Sequence, residues 1–330
     1  RMRTESSLCV ITNLISRYIS VGFFYLCLMR YIITFIFLSI VVALKAQDTL
    51  MPIIFLDDVV ISEENNGFTV EDFIQYVKND TTFYMGFKHL RYYSHNFNSE
   101  LNIFNKRDER IGVLRKYGKH LSNGKQAWIV NDSIYYEGKI FKRNGNYRYY
   151  TPKAFDEVFF PKDTFNISLK ISKDKNINES QNMRDAKTVG FSIGTDDVEQ
   201  TNGGLSRKLA IFDIGMQKYY DYIVGETMYK NKECYTFTIK VKKELSLKDQ
   251  KKALIRNIVS YFDKENFNVV YREYKFVYNN WFIDLDMDVI VNMDYYNGKH
   301  VPSYIYYKGF WNVIFFKPER AEFHLINTFL

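Results

Sequence analysis

FIDLDMDVIVNMDYYNGKHVPSYIYYKGFW (282–311) is the stretch on which the fold class turns. From Ile283 every second residue is apolar (Ile283, Leu285, Met287, Val289, Val291), while Asp284, Asp286 and Asp288 fill the alternate positions. Period two is the pattern of a strand with one buried and one wet face. Asn297-Gly298 then supplies the two positive-φ positions of a tight hairpin turn, so VPSYIYYKGFW returns as the partner strand.

Working outward, TMYKNKECYTFTIKVKK (227–243) reads as a second hairpin turning at 230–232, with Tyr235, Phe237, Ile239 and Val241 alternating against polar neighbours. YFDKENFNVVYREYKFVY (261–278) adds two strands around an Asp-Lys-Glu-Asn turn, and AEFHLINTFL (321–330) closes the chain. Between them Ser246 and Asp249 form a capping box that predicts a helix to about Asn257. Upstream, LNIFN (101–105), IGVLRKY (111–117), QAWIV (126–130) and DSIYYEGKIFKR (132–143) are strand-like and separated by Gly, Asn and Asp.

Short helices precede and interrupt these strands. Thr69 with Asp72 makes a capping box ahead of Phe73, Tyr76 and Val77, and Asp80 caps a second helix through Phe83, Met85, Phe87 and Leu90. Thr151-Pro152 predicts the start of a third, AFDEVFF (154–160). The expected architecture is α+β: a curved, mostly antiparallel, half-barrel-like sheet with short helices packed on one face.

The N-terminal region carries a different message. Met29-Arg30, the apolar run YIITFIFLSIVVAL (31–44) and Ala46 meet the requirements of a cleavable signal peptide over 29–47. A preceding apolar run, VGFFYLCL (21–28), merges with it, and together they exceed the roughly 20 residues that span a bilayer. Arg30 lies in the middle of that joined run, where a charge is costly. The expectation is therefore a start at Met29, with 1–28 as upstream read-through and an uncleaved anchor as the alternative. An extended segment over 48–67 follows, then one domain over 68–330 with a polar loop insertion at about 162–205. Export places the chain in the periplasm or at the outer-membrane periphery, with peripheral membrane contact allowed.

Composition narrows the partners. The formal charge is +7, but residues 1–47 hold Arg1, Arg3, Arg17, Arg30 and Lys45 against Glu5, so the mature part carries +3. So small an excess argues against nucleic acid. Cys9 and Cys27 leave with the signal, and Cys234 alone cannot form an internal disulfide.

Several motifs suggest chemistry. GFSIG (190–194) matches a nucleophile elbow, which would make Ser192 a hydrolase nucleophile with Asp284 and His300 following in order. The flanking MRDAKTV and TDDVEQTNGG supply neither the buried strand nor the long helix that an elbow needs, so Ser192 stays the weaker alternative. Asp284, Asp286 and Asp288 lack the Gly and Glu of a calcium loop and read as one solvated strand face. His89, His95, His120, His300 and His324 have no metal-ligand spacing and are expected at surface or half-buried positions. FKRNGNYRYY (141–150) reads as a hairpin turning at 144–146. No cofactor and no metal is expected.

The hairpin, helix, "YFDKENFNVVYREYKF" and long meander together resemble the half-barrels of lipoprotein-localisation carriers and the lipid-sensing periplasmic regulators related to them. That resemblance covers about the last hundred residues and implies a curved sheet, plugged by helices, around an apolar cavity for acyl chains. KRNGNYRYYTP, MQKYYDY and VPSYIYYKGFWNV are similar in texture to exported envelope proteins of Gram-negative bacteria, which bring no activity with them. LDDVVIS (56–62) resembles the LDEVVV-type segment of TonB-linked outer-membrane receptors and implies an adaptor role as a further alternative. The main expectation is non-enzymatic binding of a lipid, an amphipathic ligand or an envelope partner protein. The cavity candidates are Phe237, Ile239, Ile283, Leu285, Met287, Val289 and Val291.

Overall fold

The structure is a computed structural model that describes residues 70–167, 211–279, 283–314 and 316–329. All of them belong to one compact unit, Val59–Leu330. The signal segment, LDDVVIS and GFSIG with Ser192 lie outside the described residues.

Eleven strands form a single open sheet among the described residues. They are β1 (His95–Phe104), β2 (Arg110–Ser122), β3 (Gln126–Gly138), β4 (Phe165–Asn166), β5 (Tyr220–Tyr229), β6 (Lys232–Val241), β7 (Ile255–Asp263), β8 (Val269–Asn279), β9 (Ile283–Tyr296), β10 (Lys299–Val313) and β11 (Glu319–Phe329). Their order is β4-β3-β2-β1-β11-β10-β9-β8-β7-β6-β5, and every neighbouring pair is antiparallel. Two meanders are thus joined by pairing the first strand with the last. Register shifts interrupt β1–β2, β2–β3, β7–β8 and β9–β10. Such bulges bend and twist the strands that carry them.

Turn chemistry sets the hairpins. Lys230 and Asn231 (φ 48° and 64°) join β5 to β6, and Asn297 and Gly298 (φ 48° and 79°) join β9 to β10, where positive φ matches the twist of the strands. Gly138 ends β3 at φ 73°, with a Cβ there falling 2.2 Å from the Ile111 carbonyl oxygen, so only glycine fits without a backbone shift.

Five helices are described: α1 (Val70–Asn79), α2 (Thr82–Tyr92), α3 (Tyr150–Phe159), α4 (Ile214–Gln217) and α5 (Leu247–Gln250). Thr81, not Asp80, is the N-cap residue of α2, and Asp80 stands one residue ahead of it with its Oδ1 accepting from the Thr82 N–H at 2.9 Å. Ser246 caps as expected, accepting from the Asp249 N–H at 3.1 Å, but α5 ends at Gln250 rather than near Asn257. The reason is β7, which begins at Ile255 and takes those residues into pairing with β8. α3 begins at Tyr150, so Pro152 falls inside its first turn rather than at its first position. The 141–150 stretch makes a small turn closed by the Phe141–Tyr147 bridge and not a strand pair. The Thr69–Asp72 box lies outside what is described, since Thr69 and the Asp72 side chain are not placed. No helix among the described residues is long and apolar enough to cross a membrane.

Candidate functional site

Residues directly opposite in neighbouring strands share a face, so the registers map one face across the sheet. Ile239, Ile258, Tyr274, Val289, Tyr307, Phe323, Leu101 and Leu114 lie in one continuous row over eight strands. All eight are buried and belong to the hydrophobic core. A parallel row runs Phe237, Ser260, Arg272, Val291, Ile305, Leu325, Ser99 and Lys116. The two rows together make a broad apolar surface with a few polar side chains set into it.

The sequence candidates fall on this surface. Phe237, Ile239, Leu285, Met287, Val289 and Val291 are all buried within the core cluster. Ile283 begins β9, and its side chain lies outside the described residues. Aromatic side chains from the helices touch the same residues or their neighbours. Phe73 of α1 stacks on Phe237 at 5.3 Å and meets Phe262 edge-on at 5.4 Å. Phe155 of α3 lies 5.0 Å from Tyr307 and 4.5 Å from Phe323, and Tyr150 lies 5.5 Å from Trp311.

Polar groups on this face are held by specific partners. Arg272 donates from Nε to Ser260 Oγ at 2.9 Å, and its guanidinium sits 4.3 Å from the centre of the Phe83 ring of α2. Burial lowers its pKa from the usual arginine value. Lys116 pairs with Asp156 of α3, which also accepts from the Tyr147 hydroxyl, and the Lys116 Nζ lies 5.0 Å from the Phe160 ring. Glu319, at the start of β11, accepts from the Thr151 N–H of α3 at 2.7 Å. Its burial pushes the carboxyl up to about 7, against the backbone hydrogen bond from Thr151 that favours the charged form.

Three histidines contradict their expected surface or half-buried positions: His95, His120 and His300 are buried. Strand parity explains the first two, since His95 and His120 face each other across β1 and β2 on the inward side and stack at 4.7 Å. The Nδ1 of His95 donates to the Tyr93 carbonyl at 2.9 Å, and burial draws its pKa down to about 3 and that of His120 to about 4. The opposite face carries the carboxylates, where Asp286 and Asp288 reach Lys275 at 3.0 and 3.5 Å. Asp284 sits on that face in pairing with Asn279 and Asn312, away from the buried His300, and Cys234 is a buried free thiol.

Arg272, Lys116 and Glu319 were not singled out from sequence. A signal for two of them exists: Val270-x-Arg272-x-Tyr274-x-Phe276 and Leu114-x-Lys116 keep strict strand parity with buried neighbours.

No family model and no curated protein matches the chain. Among solved structures, a DUF1329 family protein from Desulfovibrio piger matches with 10% identity over 77% of this chain and 91% of its own, at a TM-score of 0.25. An outer membrane lipoprotein-sorting protein domain from Vibrio parahaemolyticus matches with 8% identity over 78% and 88%, at a TM-score of 0.24. At these scores neither likeness bears on the task of this chain.

Proposed function

We propose that the mature chain is a non-enzymatic envelope protein that holds an acyl chain or similar amphipathic ligand against the apolar face of its sheet, beneath α1, α2 and α3. The observation that carries this reading is the apolar row crossing eight strands, with a half-apolar row beside it, far wider than a single helix needs for docking. Helices attached largely through aromatic rings and a few polar latches can part from such a face without breaking a strand pair. Each methylene transferred onto it contributes about 0.8 kcal/mol. The set Phe237, Ile239, Ile283, Leu285, Met287, Val289 and Val291 is the proposed lining. The apolar segment within 29–47 supports export to the periplasm or outer-membrane periphery.

Native mass spectrometry of protein purified from a Gram-negative periplasm tests the reading. Expected are adducts of phospholipid or acylated mass that a Val289→Asp variant loses while still secreted, with a mature N-terminus just after Ala46. Lipid-free protein that also takes up no acyl chain from phosphatidylethanolamine vesicles would overturn it.

A further inference from the structure

The edge of the sheet at β3 is only lightly protected. β4 covers only Gln126 and Ala127, so Trp128–Gly138 has no strand on its outward side among the described residues. An edge strand leaves every second backbone N–H and C=O pair unpaired, and proteins normally blunt it with charged residues, above all Lys, with Pro, a bulge or a covering segment. Trp128–Gly138 contains no Lys, Arg or Pro. It does present Val130, Ile134, Tyr135 and Tyr136 at 39%, 51%, 47% and 58% exposure. Its charged residues are Asp132 and Glu137, both exposed, and neither forms an ion pair with a described residue. Glu137 accepts only a 3.2 Å hydrogen bond from the Tyr135 hydroxyl, and the nearby Arg115 is already paired with Glu100.

Asp132 is also the extra residue of the β2–β3 bulge, since Tyr117 pairs with Ser133 and Gly118 with Asn131. A bulge at that point interrupts long edge-to-edge stacking while leaving a regular run beyond it. Ser133–Tyr136 is thus a short apolar docking length bracketed by two carboxylates.

We infer that β3 receives an extended segment of a partner protein as an added strand, apolar at alternate positions and carrying Lys or Arg opposite Asp132 and Glu137. Backbone hydrogen bonds give such a complex its affinity, and the bracketing carboxylates select its charge. The inference stands on the edge alone and is independent of ligand binding on the inner face.

The test uses the full chain with two labelled eight-residue probes, one alternating Val and Lys, the other Val and Glu. Fluorescence anisotropy should show the Lys probe binding at least tenfold tighter, with the preference shrinking in 0.5 M salt. Hydrogen exchange should slow at alternate amides within 128–138 on adding it. Ile134→Lys/Tyr136→Lys, both at exposed positions, should weaken it at least tenfold, and Asp132→Asn/Glu137→Gln should narrow the gap between probes. Equal affinity for both probes, or no effect of the lysine pair, would sink the proposal. So would slow exchange of those amides before any probe is added, which would mean that the chain covers its own edge. A concentration-dependent dimer that the lysine pair dissociates would replace the partner with a second copy.

Discussion

The two ends of the sheet meet the same physical problem and treat it differently. At β5 the chain leading into the strand packs on its inward side chains: Tyr222 donates to the Ile211 carbonyl at 2.5 Å, and Phe212 stacks on Tyr222 at 6.3 Å. Met228 is the large apolar side chain that β5 leaves exposed. At β3 cover stops after two residues, and four large apolar side chains face water over the next eleven. Equal strand chemistry would have made either edge sticky. The difference lies in what the chain lays over each, so an edge left open is a feature to be explained rather than an average property of sheets.

Four substitutions probe that contrast. The largest effect belongs beside β5: Phe237→Ala empties a fully buried site packed on Phe73 and Tyr222. It should cost about 3–5 kcal/mol in urea unfolding, whereas Tyr136→Ala on the open edge should stay within about 0.5 kcal/mol. Comparable losses at the two positions would erase the distinction.

In mid-sheet, the raised carboxyl of Glu319 sets a pH dependence. Its pKa rises from 4.5 to about 7 on folding, so its contribution is complete below pH 4.5 and is lost as pH climbs through 7. Glu319→Gln should therefore gain on the wild type between pH 5 and 7.5, by at most about 3 kcal/mol. His95 and His120 act in the opposite sense, losing stability as pH falls below 6.5. Only the difference between variant and wild type isolates the carboxyl, and a difference that is flat with pH would contradict its burial.

A further, local effect is expected at the end of the open strand. Gly138→Ala places a Cβ against the Ile111 carbonyl at positive φ and should cost about 1–3 kcal/mol. Amide exchange should speed up near Gly112 and Gly138 while β5 and β6 stay unchanged.

Much of the sheet was legible because its signals are local. Alternation from Leu285 to Val291, the Asn297-Gly298 turn and the Ser246 cap each depend on a few neighbouring residues, and each stands as read. The length of α5 was misread because pairing of Ile255 with Phe276 outweighs a weak helical pattern. The site was half legible. Its apolar members follow from parity, but their union into rows needs the register of eight strands, which no window of sequence contains. Buried polar members were missed because a charged residue is ordinarily assigned to water, although Lys116 and Arg272 keep inward parity.

The seam between β1 and β11 has a consequence for how the molecule comes into being. His95 pairs with Phe329 and Phe104 with Arg320, more than two hundred residues later in the chain. Until β11 is available the first meander has β1 unmatched on that side, and no earlier described strand pairs with it there. Closing so long a loop is slow, and the waiting strand is an aggregation hazard meanwhile. A chain cut short before Glu319 would therefore be left as two separate sheets, each with a raw seam where the other belongs.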